Sequence, residues 1–344
     1  MTQQTPPSVI GDNGRPVFGV FEDAIPSVNA AAFDYRTPMG NKASAFQRWV
    51  GFKQFEYFGV ISSELLFGCA LANVRYASVL FCYVYLPKTK ELKEYTFRSP
   101  FALGTQNSDS PVQGQSHFKA PGCEVHFGYA DAPRSKTITV NLGKKLQAEL
   151  TLNETAAGFQ PMSINSQIGR NGYVYAHKVA AVPVSGKVSG PFGNYDMEAI
   201  NAYSHHDFSA GYMRRETFWN WACFSGELAD GRSIGLNVSC GVNETSYSEN
   251  CYWLDGACIS AGQAQFDYEQ DDPMQPWTVT FANGKGKLHF TPEGLHLERQ
   301  NFLLAASNFK QVFGRFDGFI ETAEGERLEI QSQYGFVEDQ YAKW

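Results

Sequence analysis

From Gln54 onward the chain is a succession of short apolar runs. QFEYFGVIS, ELLFGCALANV, ASVLFCYVYL and ELKEYTF follow one another with few residues between them. The runs are rich in β-branched and aromatic residues and none holds a 3.6-residue period, so they read as strands. Breaks this short join antiparallel neighbours, because a parallel crossover needs a dozen or more residues. The pattern continues through CEVHFGYA, KTITVNL, LQAELTL and YVYAHKVAAVPVSGKVSG. Beyond GPFGNYDM at 190–197 it resumes with RRETFWNWACFSG, RSIGLNVSCGV, ENCYWLDGACISAG, PWTVTFAN, KLHFTPEGLHLER, KQVFGRFDGFIET and RLEIQSQYGFVED. Turn signals at Asp230-Gly231, Asn283-Gly284 and Glu324-Gly325 punctuate the second half. The polar stretch Gly104–Gly122 reads as a long loop. Helix is expected only in short pieces, for example around Gln300–Ala306. In LEIQSQYGF, Leu328, Ile330, Tyr334 and Phe336 fall on one face and Glu329, Gln331 and Gln333 on the other.

A chain of 344 residues exceeds one small module. Two halves of similar strand count predict an all-β protein of two antiparallel barrels or sandwiches in tandem. The expected organisation is an extended arm over residues 1–40, rich in Pro, Gly and Asn, then a first β domain at 41–195 and a second at 196–344. Hydrophobic residues make up 43% and charged residues 18%, which excludes a disordered chain. The net charge of −7 argues against a nucleic-acid partner, which requires basic surface. There is no apolar run of about 18 residues, so no transmembrane helix is expected. MTQQTPPSVI lacks the charged and apolar regions of a signal peptide, which points to the cytoplasm. Seven cysteines, an odd number scattered through strand-like segments, are expected to be buried free thiols. No glycine-rich loop leads into a helix, so no nucleotide cofactor is expected.

Three clusters carry candidate chemistry. On RRETFWNWACFSG, Arg215, Thr217, Trp219, Trp221 and Cys223 share a face. Asp230-Gly231 favours a two- or four-residue hairpin loop. An even loop puts Trp219 and Trp221 on the side of Leu236 and Val238, which is then the barrel interior. They either plug that core or wall an apolar ligand pocket. His205-His206-Asp207 precedes this strand. Adjacent residues of an extended chain point to opposite sides, so one histidine faces inward. His206 beside Asp207 would be a proton donor whose pKa the carboxylate raises; otherwise the histidine is solvated. Glu249 and Asn250 precede a run containing Tyr252 and Trp253. A carboxyl among aromatics has a raised pKa and can donate a proton; the alternative is a salt bridge to Arg214 or Arg215. Three further matches are set aside. Gly231-Arg232-Ser233-Ile234-Gly235 fits the G-x-S-x-G pattern but lacks the strand–turn–helix setting of a nucleophile elbow. His117, Cys123 and His126 have no evident fourth ligand, and Cys251 and Cys258 have no second pair, so no metal site is expected.

The run from Asn201 to Gly256 carries a further signal. It contains Asp207 and Gly211, then Thr217-Phe218-Trp219-Asn220-Trp221, Gly235-Leu236-Asn237, and Glu249-Asn250 followed by Trp253, Asp255 and Gly256. With the tail from Phe313-Gly314-Arg315-Phe316-Asp317-Gly318 to Trp344, it resembles an uncharacterised bacterial family, a domain of unknown function. That family resembles hydroxyneurosporene synthase, a carotenoid hydratase, and the AttH-like proteins. The resemblance implies two lipocalin-like (calycin) barrels in tandem with an apolar ligand cavity. In the hydratase it also implies an acid that protonates a carbon–carbon double bond. Two functions follow. One is an enzyme that hydrates or isomerises a double bond in an apolar or lipid-like substrate, isoprenoids included, with His206, Asp207 and Glu249 as acid/base candidates. Trp219, Trp221, Asn250 and Trp253 would bind its ligand. The other is a non-catalytic carrier or sensor of a lipid-like molecule. An ionisable group inside the apolar cavity separates them, because a carrier can keep its polar groups at the mouth.

Overall fold

The computed structural model describes residues 2–242, 247–301 and 305–344. Its regular structure is nearly all antiparallel strand. The α-helix Ala45–Gly51 starts at a capping box, in which Ser44 and Gln47 each accept a hydrogen bond from the other's backbone N–H. No helix of the described residues is long and apolar enough to cross a membrane.

Two sheets carry the chain. The first runs, neighbour by neighbour, through Glu91–Pro100, Ala77–Leu86, Leu66–Asn73, Phe52–Ile61, Tyr203–Tyr212 and Gly172–Gly190. It continues through Gln147–Asn153, Arg134–Asn141, Cys123–Asp131 and Gly114–Ala120. The long strand Gly172–Gly190 serves both parts of this sheet. Its first half pairs with Met162–Ile168 and Tyr203–Tyr212, its second with Gln147–Asn153. The register shifts between Val179 and Val182, where Ala181 takes φ 54°. This bulge bends the strand and curls the sheet over itself. Phe58, Leu71 and Leu80 then meet Phe127, Val140 and Leu150 in a first core. The second sheet runs through Ala257–Ser260, Cys251–Leu254, Ser233–Cys240, Glu216–Glu227, Arg327–Lys343, Ala306–Glu321, Gly286–Asn301, Trp277–Phe281 and Ala264–Asp267. It curls over Phe224, Leu236 and Val238, which pack with Trp277, Phe290 and Phe316. The two antiparallel, lipocalin-like barrels in tandem are therefore present, each as a curled half-barrel.

A third core lies where the outer faces of the half-barrels meet. Tyr57, Tyr83 and Tyr85 of the first sheet pack there against Trp221, Phe313 and Phe336 of the second. Strands at this junction are buried on both faces, which is why Phe52–Ile61 is buried almost throughout. The sheets approach closely at Gly235, where an added Cβ would lie 2.8 Å from the Ala180 Cβ and 2.9 Å from the Ala181 nitrogen.

Several expectations are corrected. The chain changes sheet after Tyr212, not near 195, because Tyr203–Tyr212 pairs with Gly172–Gly190 and Phe52–Ile61. The polar stretch 104–122 contains the strand Gly114–Ala120. Gln300 and Asn301 end one strand and Ala306 begins the next, so these residues are not helical; residues 302–304 lie outside the described residues. The first forty residues do not stand off as an arm. Val9, Ile10, Phe21, Ile25 and Phe33 are buried against Tyr173, Tyr175 and Phe208, and Gly19–Val20 pairs with Met162–Ile168. In the last strand, Tyr334 and Phe336 do not share a face with Leu328 and Ile330. The register shifts opposite Asp317, and Ser332 takes φ 53°. One extra residue reverses which side later side chains face. Leu328, Ile330 and Val337 enter the second core, while Tyr334 and Phe336 enter the junction.

Candidate active site between the half-barrels

A cavity of about 380 Å³ lies at this junction. The strand registers set its direction. On the first sheet Lys53, Phe55 and Tyr57 stand beside Gly211, Ser209 and Asp207. On the second, Thr217, Trp219 and Trp221 stand beside Ala342, Gln340 and Glu338. The walls are largely apolar, with Phe55, Val79, Phe81, Phe309 and Trp219 among them.

The inner end is polar and buried. Lys178 Nζ lies 3.0 Å from Asp207 Oδ2 and 2.7 Å from Glu249 Oε1, and 5.1 Å from the centre of the Trp221 ring. Ser209 Oγ donates to Asp207 Oδ1 at 3.1 Å. Burial disfavours the Lys178 ammonium, but the attraction of Asp207 and Glu249 outweighs it and raises the pKa above the ordinary lysine value. One ammonium neutralises one carboxylate. Burial therefore still raises the Asp207 pKa, helped by the Glu249 charge and opposed by Lys178. Glu338 completes this end. Its Oε2 accepts from Trp219 Nε1 at 3.0 Å and its Oε1 from Gln311 Nε2 at 2.8 Å. Burial nevertheless pushes its pKa up to about 7, so near neutrality it can hold or release a proton. Tyr57 also faces the cavity; burial and the neighbouring Tyr83 hydroxyl keep it protonated.

The structure resolves the candidates one by one. Asp207 and Glu249 are brought together, through Lys178 rather than through Arg214 or Arg215. Trp219 and Trp221 line the cavity, but not on the side of Leu236 and Val238. Trp221 pairs with Ser239 and Cys223 with Asn237. The connection between Leu228 and Arg232, which bond to each other, is three residues long. An odd loop turns the tryptophans outward, to the junction. His206 points away from Asp207, into the first half-barrel. Its ring lies 4.6 Å from that of Phe58, and its Nε2 is 3.4 Å from Tyr129 Oη. Burial drives its pKa well below the ordinary value, helped by the Lys136 charge, so the rise expected from Asp207 does not occur. His205 faces the junction over Gly59, between Tyr57 and Phe336, and burial lowers its pKa to about 3. Trp253 is not in the wall. It packs with Met162, Ile164 and Ala180, and its Nε1 donates to Gln160 O at 2.8 Å. Asn250 holds the backbone instead: its Oδ1 accepts from Ser239 N at 2.7 Å and its Nδ2 donates to Ser239 O at 3.1 Å. Asn237 accepts from Trp221 Nε1 at 2.7 Å and donates to Glu249 O at 2.9 Å, so both asparagines position Glu249. Ser233 of the G-x-S-x-G match begins a strand, not a helix. Cys123 packs in the first core, on the opposite face from His126 and its partner Glu124.

Residues 2–344 match the family described as Domain of unknown function (DUF2804). The chain belongs to the DUF2804 family. No curated protein is found to match it. Among solved structures, CghA is similar over 99% of this chain and 97% of its own, at 10% identity and a TM-score of 0.55. A putative AttH from Nitrosomonas europaea is similar over 89% and 98%, at 11% identity and a TM-score of 0.49. Kievitone hydratase from Nectria haematococca is similar over 86% and 90%, at 11% identity and a TM-score of 0.47. The likeness to CghA, spanning both chains, shows a shared fold.

In this DUF2804 protein, sequence reasoning missed Lys178 and Glu338. Lys178 had a signal: it is a lone cation in the apolar run YVYAHKVAAV, and a buried lysine needs a carboxylate partner. Glu338 had none, because the bulge at Ser332 decides which way it faces.

Proposed function

We propose that the protein is an enzyme acting on an apolar or lipid-like substrate in the cavity between the half-barrels, by acid/base hydration or isomerisation of a double bond. One observation carries this reading: Asp207, Glu249, Lys178 and Glu338 are buried together at one end of a cavity whose walls are largely apolar. A carrier gains nothing from desolvated charges beside its ligand, whereas proton transfer to carbon requires an acid there.

Glu338 is the acid. Its carboxyl gives a proton to one alkene carbon, and the π electrons form the new C–H bond, leaving a cation at the other carbon. The ring faces of Trp219, Trp221 and Tyr57 and the carboxylate of Asp207 stabilise that cation. In isomerisation, Asp207 takes a proton from an adjacent carbon and the C–H electrons form the shifted double bond. In hydration, water adds to the cation and Asp207 takes the water's proton. Solvent then takes the proton from Asp207 and returns one to Glu338 in either case. Lys178 and Glu249 hold Asp207 in place.

The test starts with native mass spectrometry of protein purified from its source, to identify a co-purifying molecule. That molecule is then incubated with the protein in D₂O. Deuterium on carbon, or addition of labelled water, is expected from the wild type and lost in Glu338→Gln, which still binds the molecule by tryptophan quenching. A bound molecule that never exchanges or adds water would establish the carrier instead.

A further inference from the structure

The outer end of the cavity concentrates positive charge in a chain whose net charge is −7. Lys53 lines the cavity but is only 5% exposed. Two of its three N–H donors reach backbone carbonyls, those of Val50 and Val74, and its Nζ stands 5.4 Å from the Tyr76 ring centre. The third donor has no acceptor among the described residues. Arg75 lies close by, in the turn after Leu66–Asn73, with its guanidinium 4.7 Å from the Phe52 ring centre. Arg214, next in sequence to Arg215, also lines the cavity and is exposed. Among the described residues, no carboxylate forms an ion pair with Lys53, Arg75 or Arg214. Burial lowers the Lys53 pKa to about 8, and the charges of Arg75 and Arg215 act in the same direction. A desolvated ammonium with cationic neighbours is unfavourable unless an anion joins it. At the inner end the chain supplies such anions to Lys178; at the outer end no described residue supplies one to Lys53.

We propose that Lys53, with Arg214, holds the anionic headgroup of an amphipathic substrate, a carboxylate or a phosphate. Its apolar chain runs inward past Phe55, Phe81 and Trp219. This rests on the cavity being the site of an apolar substrate, and adds the headgroup that orients it. The register also sets a length. Lys53 and Tyr57 lie on one strand with Tyr57 opposite Asp207, and four residues of strand span about 13 Å. An extended alkyl chain crosses that distance in roughly ten bonds, which places the reacting bond about that far from the headgroup.

The test uses parinaric acid, a conjugated polyene carboxylate, and its methyl ester, with tryptophan quenching as the readout. The wild type should bind the acid about 10- to 100-fold more tightly than the ester, as a charge-assisted hydrogen bond allows. In Lys53→Met that ratio should fall close to one, and in Arg214→Gln it should fall part-way. Arg214 is exposed, so its variant gives an arm that does not risk the fold. Equal binding of acid and ester by the wild type, or a ratio unchanged in both variants, overturns the headgroup site but leaves the apolar cavity standing. Failure of both probes to quench overturns both. Competition identifies the headgroup: stronger displacement by dodecyl phosphate than by laurate assigns phosphate, and the reverse assigns carboxylate. Butyrate cannot span the cavity and should not compete; displacement by butyrate as strong as by laurate would overturn the extended orientation.

Discussion

Replacing Glu338 by Gln should stabilise the protein, by an amount that grows as pH rises from about 4.5 to 7 and is constant above that. The carboxyl has an ordinary pKa of 4.5 in the unfolded chain and about 7 in the folded one, because burial disfavours its charge. The folded state therefore binds this proton more tightly, so stability falls as pH rises between the two values. Each pH unit of that interval is worth about 1.4 kcal/mol, so the ionised Glu338 costs the folded state roughly 3 kcal/mol above pH 7. Below 4.5 both states are protonated and the cost vanishes. Glutamine keeps the shape and removes the titration. It can still accept from Trp219 Nε1, and its NH₂ group meets Gln311, whose Oε1 has no hydrogen-bond partner among the described residues and can be presented by an amide flip. The assay is urea unfolding of wild type and variant at pH 4, 7 and 9. The expected result is a difference near zero at pH 4 that grows to about 3 kcal/mol in favour of the variant at pH 9. An equal difference at all three values, or a variant less stable at pH 9, would refute a buried proton-holding Glu338. Loss of turnover in the same variant would make this a group that costs stability for the sake of chemistry.

Other consequences can be checked separately. Lys178→Met leaves Asp207 and Glu249 buried without their cation and should cost about 3–5 kcal/mol at pH 7. The loss should shrink as pH falls and Asp207 takes a proton; a small, pH-independent loss in urea unfolding would show that the carboxylates find other partners. Gly235→Ala drives a methyl group into Ala180 and Ala181 where the half-barrels meet, and should cost about 1–3 kcal/mol. No change in its unfolding midpoint would mean that the junction yields freely. In the native protein Cys69, Cys82, Cys123, Cys223 and Cys251 are buried and should resist a thiol reagent that labels all seven cysteines after denaturation. Rapid native labelling of those five would contradict the packing.

Some of the site was legible before the fold was known. Asp207 stood out as the carboxylate beside His206, and Glu249 as a carboxyl among aromatics. Trp219 and Trp221 stood out as large apolar rings on one strand face. These are statements about residue type and local alternation, and the structure brings all four to one cavity. The expected pairing of His206 with Asp207 is not formed because neighbouring residues on a strand face opposite sides: the choice of Asp207 for the junction commits His206 to the first core. Trp253 and Asn250 lie near Glu249 in the sequence, but Trp253 packs toward Gln160, and Asn250 is spent on the Ser239 backbone.

What the sequence determined by itself was the class of fold. Runs of β-branched and aromatic residues at short intervals permit little except antiparallel strands, and two similar series of them require two curled sheets. What only the tertiary structure decided was which face of each strand looks where. Strands at the junction are buried on both sides, so the polar/apolar alternation that normally marks the inside is missing. Parity then rests on single residues: a three-residue loop between Leu228 and Arg232 turns Trp219 and Trp221 outward, and a one-residue bulge at Ser332 brings Glu338 to meet them. A side chain's direction alternates with every residue along a strand, so one inserted residue reverses all that follow. Such an insertion shows only in the pairing with a neighbouring strand.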